Sequence, residues 1–198
     1  MKRGLTSSVI ILSILTSIGY TQTKFGVKGG LNFSSLAYSS DVEGNKSKLG
    51  FGIGGFGMME YNESIDFRLE LLFLQKGDKF ENGSEVTQAI DYLSLPAFVT
   101  YALSQSNETK FTPFIQAGPE VALNLSAKAK NGGTDDFKED VNSVDFLINI
   151  GIGAKMDVEG DILIADVRYS LGLTNIAKEL EDETIKNRGI QLMIGYVF

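Results

Sequence analysis

The stretch VDFLINIGIGAKM, residues 144–156, places Val144, Phe146, Ile148, Ile150, Ile152, Ala154 and Met156 on one parity and Asn149, Gly151, Gly153 and Lys155 on the other. A period of two belongs to extended backbone, whose side chains point to opposite faces in turn. One face here is wholly uncharged, and the other mixes glycine with polar groups. The same design recurs in residues 24–36, 48–61, 64–76, 89–102, 111–125, 163–173 and 190–198, giving eight runs in all. No stretch outside the first 22 residues carries a helical stripe longer than two turns.

Which face meets water separates a soluble barrel from a membrane barrel, because the two share this alternation with opposite orientation. The polar face holds glycines, the aromatics Phe56, Phe98 and Phe114, and scattered charges of both signs, too few for a solvated surface. It suits a packed interior. The chain is therefore expected to form an all-β, eight-stranded antiparallel up-and-down transmembrane β-barrel with its greasy side chains turned to lipid. In so narrow a tube the side chains fill the lumen, so Gly52, Gly54, Gly151 and Gly153 are expected to make room for bulky neighbours. Connections 37–47, 77–88, 126–143 and 174–187 are long, whereas those around Asn62, 104–108 and Glu159 are short, as in barrels with long outer loops and short periplasmic turns. This folding gathers Phe25, Tyr61, Tyr101, Phe111, Tyr196 and Phe198 near the periplasmic rim and Phe33, Phe51, Phe73 and Phe146 near the outer one.

Composition agrees. Among 198 residues, 22 glycines exceed the ordinary share of about 7%, while only three prolines argue against a linker, so the glycines serve ordered structure. Cysteine and histidine are both absent, which removes disulfides, thiolate metal sites and the commonest catalytic base. Lys2 and Arg3, an apolar run over 9–18 and small or polar residues over 19–23 predict a cleaved signal peptide, 1–21, ahead of a mature barrel, 22–198. The apolar run is too short for a membrane anchor. Without Lys2 and Arg3 the mature part holds 16 basic against 25 acidic residues, net −9, which disfavours nucleic acid as a partner.

The segments KFGVKGGLNFSSL (24–36), LGFGIGGFG (49–57), YLSLPAFVTY (92–101), FTPFIQAGPEV (111–121) and IGYVF (194–198) resemble the PorT-type outer-membrane β-barrel family of Bacteroidota. The resemblance covers nearly the whole mature chain. It implies an outer-membrane location in a Gram-negative envelope and, for some members, a part in protein secretion; it supplies no catalytic residue. The alternating strand that ends at Phe198 resembles the signal by which the barrel assembly machinery recognises its clients.

Candidate chemistry is sparse. Gly50, Gly52 and Gly55 form a G-x-G-x-x-G, but a dinucleotide loop needs a helix after it and this segment continues as a strand. Lys28, Glu60, Arg68, Glu70, Glu120, Lys155, Asp166 and Arg168 all fall on the inward parity. Ions sealed in a narrow lumen must pair or suffer heavy desolvation, so they are expected to form a structural charge network, with Arg68, Glu70, Asp166, Arg168 and Lys28 at comparable heights. A gated ion path and a catalytic carboxylate pair are the competing readings of the same set. Asp135, Asp136, Glu139 and Asp140, and Glu179, Glu181, Asp182 and Glu183, are expected as solvated loop charges, with calcium binding as the alternative although an EF-hand spacing is missing. Phe137, Tyr38 and Phe80 stand as possible anchors for surface or envelope protein partners. No catalytic, cofactor or metal residue is expected. The functional expectation is a non-enzymatic barrel with a plugged lumen and acidic surface loops; a narrow channel for ions or small solutes is the alternative, and a soluble carrier with a greasy pocket a third.

Overall fold

The computed structural model describes residues 23–40, 44–81, 85–103, 110–131, 133–178 and 183–198; the predicted signal peptide and its cleavage site lie outside them. Nine strands follow in order: β1 (Thr23–Tyr38), β2 (Asn45–Glu60), β3 (Ile65–Glu81), β4 (Glu85–Ala102), β5 (Phe111–Lys130), β6 (Thr134–Asp136), β7 (Val144–Val158), β8 (Asp161–Gly172) and β9 (Ile185–Val197). Eight build the wall, in the order β4-β3-β2-β1-β9-β8-β7-β5, and pairing of β4 with β5 closes it. Every pairing is antiparallel. The short β6 folds back on the end of β5 and leads into a 3-10 turn at Lys138–Asp140.

Pairing followed once round the wall runs Phe51, Leu31, Leu192, Val167, Ile152, Ile115, Tyr101, Ile65 and returns at Tyr61, the residue after β2, ten positions beyond its start. That stagger fixes how far the strands tilt and how wide the tube is. Side chains sort as the alternation demands. Phe67, Ile150 and Leu192 are exposed on the outside, whereas Arg68 and Asp166 are buried inside. All six aromatics expected at the periplasmic rim are exposed, as are Phe33, Phe51 and Phe146 at the other.

The strands outrun the runs read from sequence at the long-loop end. β3 and β4 pair up to Glu81 and Glu85, and β1 and β9 up to Tyr38 and Ile185, so most of residues 77–88 and parts of the other expected loops are sheet. In this protruding part β1, β4 and β5 invert in polarity. Leu36, Ile90 and Ala127 are buried inside, while Lys128 and Lys130 are exposed and Gln75, Lys79 and Asp91 take the outward parity of β3 and β4. The physical cause is the surroundings: outward groups meet acyl chains below this level and water above it. At the opposite end, Val158 pairs with Asp161 across Glu159 (φ 57°) and Gly160 (φ 101°), a two-residue hairpin with both central residues at positive φ.

Inward glycines admit bulky groups, as expected. A Cβ on Gly153 would lie 2.5 Å from the Phe114 ring and 2.5 Å from the Ala165 carbonyl, and one on Gly52 would lie 2.8 Å from the Leu74 side chain. Gly151 gives way to Arg168, but Gly54 meets the Leu71 backbone instead of a side chain. Outward Gly55 has its nearest neighbour at 3.5 Å. Gly153→Val is therefore expected to destabilise the barrel by about 2 kcal/mol through overpacking, and Gly55→Ala to be neutral within about 0.5 kcal/mol, measured by urea unfolding from lipid vesicles.

Candidate functional site

The lumen is stratified. Near the short-turn end Phe56, Met58, Phe114, Ile164 and Val197 form one apolar cluster; under the long loops Leu36, Ile90, Tyr92, Ala122, Ala127, Val141, Leu147 and Ile176 form another. A polar column lies between them. Alternation alone sets this up: β3 turns Asp66, Arg68, Glu70, Lys76 and Asp78 inward from one parity, and β8 turns Asp166 and Arg168 inward from its own.

At the centre, Lys28 Nζ donates to Glu70 Oε1 at 2.8 Å and to Asp166 Oδ2 at 2.6 Å. Arg168 Nη1 donates to Glu70 Oε2 at 2.7 Å, and its Nε to Gln191 Oε1 at 2.7 Å. Arg68 Nε lies 2.9 Å from Glu70 Oε1, and Arg68 Nη2 donates to Gln116, whose Nε2 donates to Asp166 Oδ1 at 3.1 Å. Phe98 lies between two guanidinium groups, with Arg68 at 5.3 Å and Arg168 at 5.1 Å from its ring centroid. Such cation–π contacts gain strength away from water. Higher up, Glu120 accepts from Lys76 at 2.8 Å, Ser94 at 3.0 Å and Asn149 at 2.9 Å. Asp145 accepts from Thr174 at 2.6 Å and Asn187 at 2.9 Å.

Of the residues singled out from sequence, Lys28, Arg68, Glu70, Asp166 and Arg168 meet in this central cluster. Glu120 belongs to a second cluster above it. Lys155 pairs with Asp66 close to the short-turn rim. Glu60 is a correction: it is exposed at that rim and pairs with Lys24 at 2.6 Å, because β2 ends there and its last inward position opens to water. Lys24, Asp66, Lys76, Asp78 and Asp145 escaped the sequence reading, although continuing the inward parity of β3 would have found Asp66, Lys76 and Asp78. The anchor reading of three aromatics is also corrected. Phe137 and Tyr38 pack against the outer apolar cluster, and Phe80 stacks on Tyr38 at 5.8 Å, since the sheet extends past the level at which these residues were taken as loop. Asp135, Asp136, Glu139 and Asp140 are exposed; Glu179, Glu181 and Asp182 lie outside the described residues.

A closed antiparallel barrel with a lipid-facing apolar band and an ion-filled lumen defines an outer-membrane β-barrel protein. The sequence profile of the outer membrane protein beta-barrel domain matches residues 20–178, and the chain belongs to that family. Its location is the outer membrane. Among solved structures it is similar to neisserial surface protein A, at 14% identity over 89% of this chain and 99% of that one, with a TM-score of 0.55. OprG from Pseudomonas aeruginosa is 10% identical over 91% and 98%, with a TM-score of 0.48. Ail of Yersinia pestis is 15% identical over 89% and 99%, with a TM-score of 0.47. No curated protein sequence matches the chain significantly.

Two measurements probe these ions. Removing one partner of a buried pair strands the other, a loss of about 3–5 kcal/mol, so Arg168→Met is expected to lower stability by that much in urea titrations. Above the lipid band, Tyr38 Oη donates to Asp78 Oδ2 at 2.8 Å. Burial pushes the Asp78 carboxyl up to about 6 against the opposing pull of that hydrogen bond. The folded state then holds more protons than the unfolded one between the ordinary 3.8 and about 6, so stability falls as pH rises through that window. Asp78→Asn is expected to flatten this slope in urea midpoints taken from pH 4 to pH 7.

Proposed function

We propose that the protein is a non-catalytic envelope component that keeps its lumen sealed and acts through its surfaces. The observation that supports this is the filled lumen, with paired ions between two apolar clusters. Its buried carboxylates are engaged with cations or hydrogen-bond donors, which leaves them poorly suited to acid–base work, and histidine-assisted nucleophiles are ruled out by composition. The exposed acidic residues Asp135, Asp136, Glu139 and Asp140 supply a contact surface for a surface or envelope protein. The resemblance to PorT-type barrels adds a finer reading, an accessory part in protein secretion. Phe198, whose amide donates to the Phe25 carbonyl at 3.0 Å, completes the strand offered to the barrel assembly machinery.

The alternative, a narrow path for ions or small solutes, draws on the polar column that runs from Lys155 and Asp66 through Arg168 to Lys76 and Asp145. It requires the apolar clusters to part. In planar bilayers the wild type is expected to give no steady unitary current. A steady current that Arg168→Ala abolishes would establish conduction through the lumen and overturn the sealed reading.

A further inference from the structure

On the lipid face of β9 the series Ile190, Leu192, Ile194 and Tyr196 is apolar, and Arg188 breaks it. Arg188 is exposed and pairs in register with Leu171 on β8 and Ser35 on β1. Its Nε donates to Ser35 Oγ at 3.0 Å. Two residues earlier on the same face stands Lys186, opposite Ala37. Ser35 lies two positions beyond Phe33, so both cations sit at or just above the outer aromatic level. Among the described residues no carboxylate forms an ion pair with either. Long cationic side chains at such a boundary place their stems on apolar surface and their heads among polar groups.

Below these cations the wall is hollowed. Ala154, Ala165, Ile194 and Gly29 form one register row across β7, β8, β9 and β1; the next row is Ile152, Val167, Leu192 and Leu31. Three small side chains beside four large ones leave a groove of about 720 Å³ that reaches onto β5. The strands tilt, so the groove slants across four strand spacings, about 19 Å, from beneath the cations on β9 and β1 toward Phe111 and Pro113 near the periplasmic rim. From Arg188 to Ile194 is about 20 Å along the strand, or about 14 Å along the membrane normal at a tilt near 45°, which is within the reach of an acyl chain. The opposite wall differs. There Gln75 donates to Asp91 Oδ1 at 2.9 Å and accepts from Lys48 Nζ at 2.7 Å, so the cation on that wall already shares its partner with a carboxylate.

We infer that the β7-β8-β9-β1 wall binds one phosphate-bearing, multiply acylated lipid of the outer leaflet, its phosphate held by Arg188, Lys186 and Ser35 and its chains lying in the groove. Charge complementarity and the groove beneath the cations are independent observations that select the same occupant. Native mass spectrometry of the detergent-extracted, folded protein tests it, with bis-phosphorylated lipid A, dephosphorylated lipid A, phosphatidylcholine and inorganic phosphate as probes. Two headgroup cations at the interface correspond to about a thirtyfold preference for the phosphorylated over the dephosphorylated lipid. Arg188→Gln with Lys186→Gln is expected to erase that preference, and Ala165→Phe to weaken lipid A binding by filling the groove. Equal binding of the two forms of lipid A by the wild type, a measurement that needs no variant, overturns the inference. So does a preference that survives the double substitution, or displacement of lipid A by equimolar inorganic phosphate, which would mark a site for free phosphate.

Discussion

Hydrocarbon offers no hydrogen-bond partner to a peptide group, and that single constraint shapes the rest of the molecule. An open sheet would leave two rows of unpaired amides and carbonyls at its edges; the β4–β5 pairing removes both. Closure with eight strands then fixes a tube too narrow for free solvent and just wide enough for side chains. Its filling must be fitted, which is why the Phe114 ring lies over Gly153 and the Phe56 ring over Gly26.

Once the exterior is assigned to lipid, charge has only the interior left. Six carboxylates, Asp66, Glu70, Asp78, Glu120, Asp145 and Asp166, share the inside with five cations, Lys28, Arg68, Lys76, Lys155 and Arg168. Near-balance alone does not make such a set strongly stabilising, because each ion gives up several kcal/mol of hydration when buried. What it does secure is register. A slip of one residue would turn Arg168 and Glu70 toward acyl chains, so the ions oppose every wrong pairing more strongly than they reward the right one.

Most of the transmembrane part was legible because period two survives wherever lipid lies on one side and a packed lumen on the other, as in residues 144–156. Even the meeting of Lys28 with Asp166, far apart in sequence, could be placed by counting heights along eight strands. Legibility stopped where the surroundings changed. Beyond Phe73 the outward residues of β3 turn polar as well, and Gln75, Gly77 and Lys79 beside inward Lys76 and Asp78 read as a polar loop although they are sheet. A register irregularity between Asp91 and Tyr92 shifts parity along β5, which hid Ala127 as an inward residue. Glu60 shows the complementary error: its parity was right, but parity does not say where the tube ends.

The inversion of polarity along β1, β4 and β5 also works as a gauge of thickness. Raising the greasy layer by a few ångströms would submerge Gln75 and Asp91, and lowering it would strip Phe33 and Phe146 of cover; each displacement costs a fraction of a kcal/mol per ångström. A barrel so marked settles at one depth and prefers one bilayer, so its address in the cell is reinforced by mechanics.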